Sequence, residues 1–181
     1  LPEIAAQIFT HPDLPEADVR TRQAEIAEQL HTIWRRGLLV RDSETLASGN
    51  ILLYRVLPTV RLFAQRYLEQ ILTAESLQAR MGSSYANFLR TIYDQIDRSA
   101  WPSFLAVRCR ADLETCACWV AEDERGWYAN HLGCLLHRIG DRTAGLYYLE
   151  QALEMAQNRD QGLEQEILNN IALVYSATGQ P

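Results

Sequence analysis

The chain has 181 residues, carries a net charge of −6 at pH 7, and is 48% hydrophobic. This length and composition suffice for one large domain or two small ones and exclude an intrinsically disordered chain. All 17 basic residues are arginine, which excludes a phosphate-loop lysine, a Schiff-base lysine or a lysine general base within this chain.

The chain carries no signal for export or membrane insertion, because it has neither a signal-peptide pattern nor an apolar run of about 18 residues. We therefore expect a cytoplasmic protein whose four cysteines are reduced. Cys116 and Cys118 would point about 200° apart on a helix and could not hold one ion together, so we expect no metal and no cofactor. The chain starts Leu1-Pro2 and ends in mid-pattern, which indicates a piece of a larger protein.

The first third of the chain mixes helix and strand. Residues 13–36 predict a helix that ends at Gly37, a residue able to take the positive φ found past helix ends. Two short apolar runs, 38–40 and 51–57, predict strands, and the polar stretch 43–50 between them predicts a loop. A helix begins at Pro58. Helix, strand, strand and helix in this order predict a winged-helix-like module over residues 1–74.

Everything from 75 to 181 predicts helix. We expect Gly82, Ser83 and Ser84 to break and cap the chain there, with a new apolar stripe beginning at Tyr85. Pro102 opens the next helix, whose apolar side includes Leu105 and Leu113.

The strongest pattern is an internal repeat. Leu132 and Gly140 recur 39 residues later as Ile171 and Gly179. A repeat of this period predicts helical pairs that stack, because one pair cannot bury its apolar face alone.

At these residues the sequence resembles the tetratricopeptide repeat (TPR) family. Gly133 matches the position where the two helices of one repeat approach closely, and Gly140-Asp141 matches the turn between them. Ala152 matches the small residue of the second helix. The sequence departs from the family pattern at Ala129, Leu136, Gly145 and Gln157. The resemblance implies a right-handed α-solenoid in the mainly α region 75–181, with repeats at about 127–162 and, in part, 163–181.

In that family the first helix of each pair lines a concave groove that binds a partner. The resemblance places the following residues in the groove: Asn130, His131, Cys134, His137, Arg138, Glu166, Asn169 and Asn170. A solvated polar face without a partner is the alternative interpretation of the same pattern. Residues 99–181 carry six arginines and eleven carboxylates, so the expected protein or peptide partner is basic. An array that ends within a repeat would also self-associate through the apolar surface that it leaves exposed.

The first module resembles the region that follows the ATPase core in signal-transduction ATPases with numerous domains (the STAND class). The residues that carry this resemblance are Arg35-Arg36-Gly37-Leu38-Leu39-Val40 and the stretch 54–68. The resemblance implies a non-catalytic regulatory fragment, in which the winged helix couples to an upstream nucleoside triphosphatase and the repeats bind a protein or an inducer.

Two other functions have partial support in the sequence. The winged helix of a transcription regulator would contact DNA through Arg35, Arg36, Arg41 and Arg55, but residues 1–98 carry eleven arginines against twelve carboxylates. For an enzyme, Cys134 with His131 or His137 would supply a nucleophile and base. That spacing on one helix provides no oxyanion hole and no orienting third group, so we expect no catalysis.

Overall fold

The structure is a computed structural model that describes residues 16–46, 49–98, 101–157 and 159–176. The chain is mainly α-helical, as predicted, and divides into two compact units, Leu1–Ser84 and Tyr85–Pro181. In chain order the elements are α1 (Glu16–Arg35), β1 (Leu39–Leu46), β2 (Gly49–Val56), α2 (Pro58–Ile71), α3 (Ala74–Gln95), α4 (Trp101–Cys116), a 3₁₀ turn (Ala117–Trp119), α5 (Arg125–Arg138), α6 (Arg142–Ala156) and α7 (Gln161–Ser176).

In the first unit, α1 ends where the sequence predicts. Gly37 has a φ of +72°, and its amide donates to the carbonyl of Trp34 at 2.8 Å, which closes the helix before β1 begins. Ile26 and Leu39 are buried apolar side chains at the junction of α1 and β1. The first residues of the predicted helix, 13–15, lie outside the described part of the chain.

The predicted loop at 43–50 is wrong over most of its length. β1 continues to Leu46 and β2 begins at Gly49, in an antiparallel register that pairs Ser43 with Leu52 and Leu46 with Gly49. Polar side chains are compatible with this ribbon because the cross-strand hydrogen bonds come from the backbone. Composition therefore indicated a loop where backbone pairing makes a strand.

The predicted break at residues 82–84 is also wrong. α3 runs without interruption from Ala74 to Gln95, and Gly82 and Ser84 are buried within it. Glycine and serine lower helix propensity by about 1 kcal/mol or less each, which tertiary packing of a long amphipathic helix readily outweighs.

In the second unit, α5 and α6 form a helical hairpin. The turn contains Gly140, whose φ is +98°, and the Asp141 side chain accepts from the amide of Ala144 at 3.0 Å to cap α6. Gly126, near the start of α5, lies against Met155, near the end of α6, so the two helices are antiparallel. They touch backbone to backbone at Gly133, where an added Cβ would lie 2.8 Å from the carbonyl oxygen of Gly145.

α7 lies beside the hairpin and runs parallel to α5. Gly126 of α5 lies beside Leu163, and Asn130, one turn further on, bonds Glu166 and Asn170. The apolar core between the three helices is small and well defined, and consists of Ala129, Ala152, Ala156 and Ile167, with Tyr148, Leu153, Leu163 and Ile171 packed against it.

The C-terminal part of α3 lies on the opposite side of α5 and is parallel to it. Tyr93 contacts His131, and Asp97, in the turn that follows α3, pairs with Arg138 at the end of α5. The order across the unit is therefore α3, α5, α7, three parallel helices. Within the described ranges, none of the helices combines the length and the apolarity needed to cross a bilayer.

Candidate partner-binding groove

All of the predicted groove residues except His137 lie where α3, α5 and α7 adjoin. We call this surface the polar face and define it by the residues that the three helices contribute: Tyr93, Trp127, Asn130, His131, Cys134, Arg138, Glu166, Asn169, Asn170 and Leu173. The polar face joins residues that are 36 to 41 positions apart in the chain, so its geometry depends on how the three helices pack.

Asn130 is at the centre of the polar face but is 0% exposed. Its amide nitrogen donates to Glu166 Oε1 at 2.8 Å, and its oxygen accepts from Asn170 Nδ2 at 2.9 Å. A buried amide is stable only when its hydrogen bonds are made, and here both partners come from the next parallel helix. Asn130 therefore holds α5 to α7, and the structure places it between helices rather than on the surface of a groove.

His131 is also buried, in an aromatic stack. Its ring centroid lies 4.2 Å from that of Trp127 and 3.8 Å from that of Tyr93, and the Arg90 guanidinium lies 4.3 Å above the Trp127 ring. The ring nitrogen Nδ1 is 2.9 Å from the carbonyl oxygen of Trp127. His131 thus joins α3 to α5 as Asn130 joins α5 to α7.

Burial lowers the pKa of His131, and the Trp127 carbonyl together with the carboxylates of Glu166 and Asp94 only partly oppose this. Burial raises the pKa of the Cys134 thiol to about 11, and burial raises the pKa of Tyr93 to about 12. The thiol is therefore protonated at neutral pH, which is the unreactive form of cysteine. At this pH the centre of the polar face is uncharged, and its charges come from the rim.

The exposed rim of the polar face consists of Arg138, Glu166, Asn169 and Leu173, and Leu173 is 63% exposed. Arg138 pairs with Asp97, in the turn after α3. His137 is half-buried, and its Nδ1 has no hydrogen-bond partner among the described residues. The backbone and Cβ of His137 lie against Gly145, which places this residue at the junction of the hairpin rather than on the rim.

The four arginines expected to contact DNA are all exposed, but they do not form one surface. Arg41 lies over the Trp34 ring, 3.8 Å from its centroid, on the side of the ribbon that faces α1. Arg55 pairs in register with Val40, and side chains alternate along a strand, so Arg55 points to the opposite side of the ribbon. Arg35 and Arg36 follow the end of α1.

The sequence interpretation missed the contribution of α3. Tyr93 belongs to the polar face as much as the residues of α5, and Arg90 lies over the Trp127 ring, whereas the predicted groove included no residue before Asn130. Arg138 and Asp97 are 41 positions apart, close to the 36 positions between Asn130 and Glu166. Both separations are close to the 39-residue period of the sequence, which is the signal that could have pointed to α3.

The described residues define a mainly α-helical protein with one two-stranded sheet. No protein-family model, curated protein or solved structure matches this chain. The four cysteines are free thiols, and no group of three or more metal-ligating side chains occurs in the described part of the chain.

The lowered pKa of His131 predicts a specific pH dependence of stability. Because the folded state disfavours protonation, the unfolded state binds more protons as the pH falls below about 6.5, and the free energy of unfolding decreases there. His131→Phe retains the aromatic stack and removes the titrating group. We expect the difference in unfolding free energy between wild type and this variant to change between about pH 7 and pH 5, measured by urea denaturation. Parallel profiles for the two proteins would contradict the prediction.

Proposed function

We propose that the second unit is a right-handed α-solenoid of TPR-like helical pairs, and that its polar face binds an extended segment of a basic protein partner. In this arrangement α3 and α4 form the first pair, α5 and α6 the second, and α7 is the first helix of a third. The protein is then a non-catalytic interaction and regulatory fragment.

The observation that carries this proposal is the parallel order of α3, α5 and α7. In a solenoid of helical pairs the first helices lie side by side and form one wall. Here the neighbouring first helices meet through polar and aromatic side chains: Tyr93 with His131, and Asn130 with Asn170. The second helices cover the apolar face of α5, as Leu149 does at Gly133, and the apolar contact between first helices is at Gly126 and Leu163.

The rim of the polar face offers contacts suited to an extended ligand that carries both apolar and polar side chains. Leu173 offers an exposed apolar contact, while Glu166 and Asn169 offer a carboxylate and an amide on the same helix. Residues 99–181 have a net charge of −5, from six arginines and eleven carboxylates. A region with this net charge attracts cationic segments and repels acidic ones, which affects both the rate and the specificity of association.

A peptide selection on the full chain tests the proposal. Random peptides of about ten residues selected for binding are expected to be rich in arginine and lysine, and to bind about tenfold more weakly when the salt concentration is raised from low to several hundred millimolar. Leu173→Arg should weaken binding by a further factor of about ten, because it places a like charge on the rim.

Leu62→Arg is a matched control, since Leu62 is 66% exposed and Leu173 is 63% exposed, and Leu62 lies on α2 in the other unit. We expect it to leave the affinity unchanged. Selected peptides without basic character, salt-independent binding, or equal losses in the two variants would each refute the proposed partner.

For the first unit we propose a winged-helix-like module that couples to an upstream nucleoside triphosphatase. The order α1, β1, β2, α2 supports this, with the antiparallel ribbon in the place of the wing. The alternative, a DNA-binding winged helix, has weaker support. Arg41 is engaged with Trp34 and faces away from Arg55, and the near-neutral charge of residues 1–98 provides little of the phosphate attraction on which DNA affinity depends.

A further inference from the structure

α7 repeats α5 at an offset of 39 residues, and one of its apolar faces is buried in the same way. Tyr128 and Leu135 of α5 align with Ile167 and Val174 of α7, and all four are 2% exposed or less. In α5 this face contacts the preceding helix, since the Tyr128 hydroxyl donates to the carbonyl of Leu113 in α4. In α7 it also contacts the preceding helix, through the cluster that Ile167 forms with residues of α6.

The other apolar face differs between the two helices. In α5 it comprises Ala129, Gly133 and Leu136, which are buried in the hairpin with α6. The aligned residues of α7 are Leu168, Ala172 and Tyr175, which we call the α7 outer face. Leu168 is 47% exposed where Ala129 is 6%, and Tyr175 is 40% exposed where Leu136 is 1%.

We propose that the α7 outer face binds an amphipathic α-helix that docks antiparallel to α7, as α6 docks on α5. The docked helix carries glycine or alanine where it crosses Ala172 and a leucine-sized residue one turn further on, the pattern of Gly145 and Leu149 in α6. Because Ala172 has a Cβ that Gly133 lacks, the docked helix lies slightly farther from α7 than α6 lies from α5.

Two observations favour this occupant over a second copy of α7. The α7 outer face is continuous with an existing interface, because Ile171, which lies beside Leu168 and Tyr175 on the helix surface, already packs against the core of α5, α6 and α7. In addition, first helices in this protein meet one another through polar side chains such as Asn130 and Glu166, whereas the apolar face of α5 is covered by a second helix. The site is separate from the polar face, so its test does not depend on the partner proposed above.

The probe is a fluorescent peptide with the sequence of residues 141–157. Its helix is held by a hydrocarbon staple between positions 143 and 147, which are exposed in α6 and lie away from Gly145 and Leu149. A staple is needed because an isolated helix of this length is marginal in water. Titration with the full 181-residue chain, followed by fluorescence anisotropy, should give a Kd of about 100 μM or tighter.

Ala172→Arg places a charge in the centre of the α7 outer face and should weaken peptide binding at least about tenfold. Leu173→Arg makes a similar change one residue away, on the polar face, and should leave the Kd unchanged. A peptide carrying Leu149→Asp should also lose binding. Since Ala172 and Leu173 are both exposed, both variants should retain the wild-type circular dichroism spectrum and thermal transition.

Three results would overturn the proposal. One is equal binding of the peptide to wild type and to Ala172→Arg. Another is no binding at about 1 mM chain. The third is a wild-type dimer by light scattering that Ala172→Arg dissociates and that the peptide does not compete with, since this would assign the α7 outer face to a second copy of the chain.

Discussion

Gly133→Ala is expected to destabilise the second unit by about 3 kcal/mol, a large effect for one methyl group. The added Cβ would lie 2.8 Å from the carbonyl oxygen of Gly145 and 2.8 Å from Leu149 Cγ. A backbone oxygen cannot rotate away as a side chain can, so α5 and α6 must separate. Urea denaturation followed by far-UV circular dichroism measures the loss.

Gly162→Ala is the matched control, because its Cβ would meet only Asp160 Oδ1, at an ordinary 3.4 Å. It should leave stability unchanged or raise it by up to about 1 kcal/mol, the difference in helix propensity. Gly145→Ala should be costly as well, since its Cβ would lie 2.9 Å from the carbonyl oxygen of Gly133. The double variant should lose less than the two single losses combined, because one separation of the helices accommodates both methyl groups. Equal stability of Gly133→Ala and Gly162→Ala would show that the close approach is absent.

The second large effect is expected for Asn130→Asp, which should destabilise the protein by about 3 kcal/mol or more at pH 7. The new carboxyl would be fully buried beside the Glu166 carboxylate. In its protonated form it can replace both bonds of the asparagine, donating to Glu166 and accepting from Asn170. Its pKa is therefore raised in the folded state.

The sign of the pH dependence follows from that raised pKa. The folded state binds the extra proton more tightly, so the variant approaches wild-type stability at acid pH and loses stability as the pH rises. Asn169→Asp makes the same chemical change on the exposed rim, and we expect it to change stability by less than about 0.5 kcal/mol at any pH. Stability curves at several pH values, each referred to wild type at the same pH, distinguish the two variants. If the stability lost by Asn130→Asp did not depend on pH, the charge of the new carboxyl would not be the cause of the loss, and the prediction would be wrong.

Signals within a few neighbouring residues were sufficient to predict most of the helices and strands. Gly37 and Gly140 take the positive φ expected of them, α2 begins at Pro58, and the stripe containing Leu89 and Ile92 is buried. These features depend on backbone sterics and on helical periodicity, both of which are expressed over a few neighbouring residues.

Contacts between distant parts of the chain determined the structural features that the sequence did not predict. Residues 43–46 form a strand because β2 is available to pair with them. Gly82 stays within α3 because the packing of a long helix outweighs the low helix propensity of glycine and serine. Asn130 has the polarity of a groove residue in the sequence. Its side chain is buried because Glu166 and Asn170, 36 and 40 positions later in the chain, pack against it and bond its amide.

The sequence by itself determined the helical class, the 39-residue period and the helix ends at Gly37 and Gly140, because these follow from helical periodicity, from repetition along the chain and from the backbone freedom of glycine. Tertiary structure alone decided that α3, α5 and α7 run parallel, which polar side chains the helix junctions bury, and which face of α7 stays exposed. Those outcomes depend on which helices meet, and a residue's environment is set by neighbours that its local sequence does not contain.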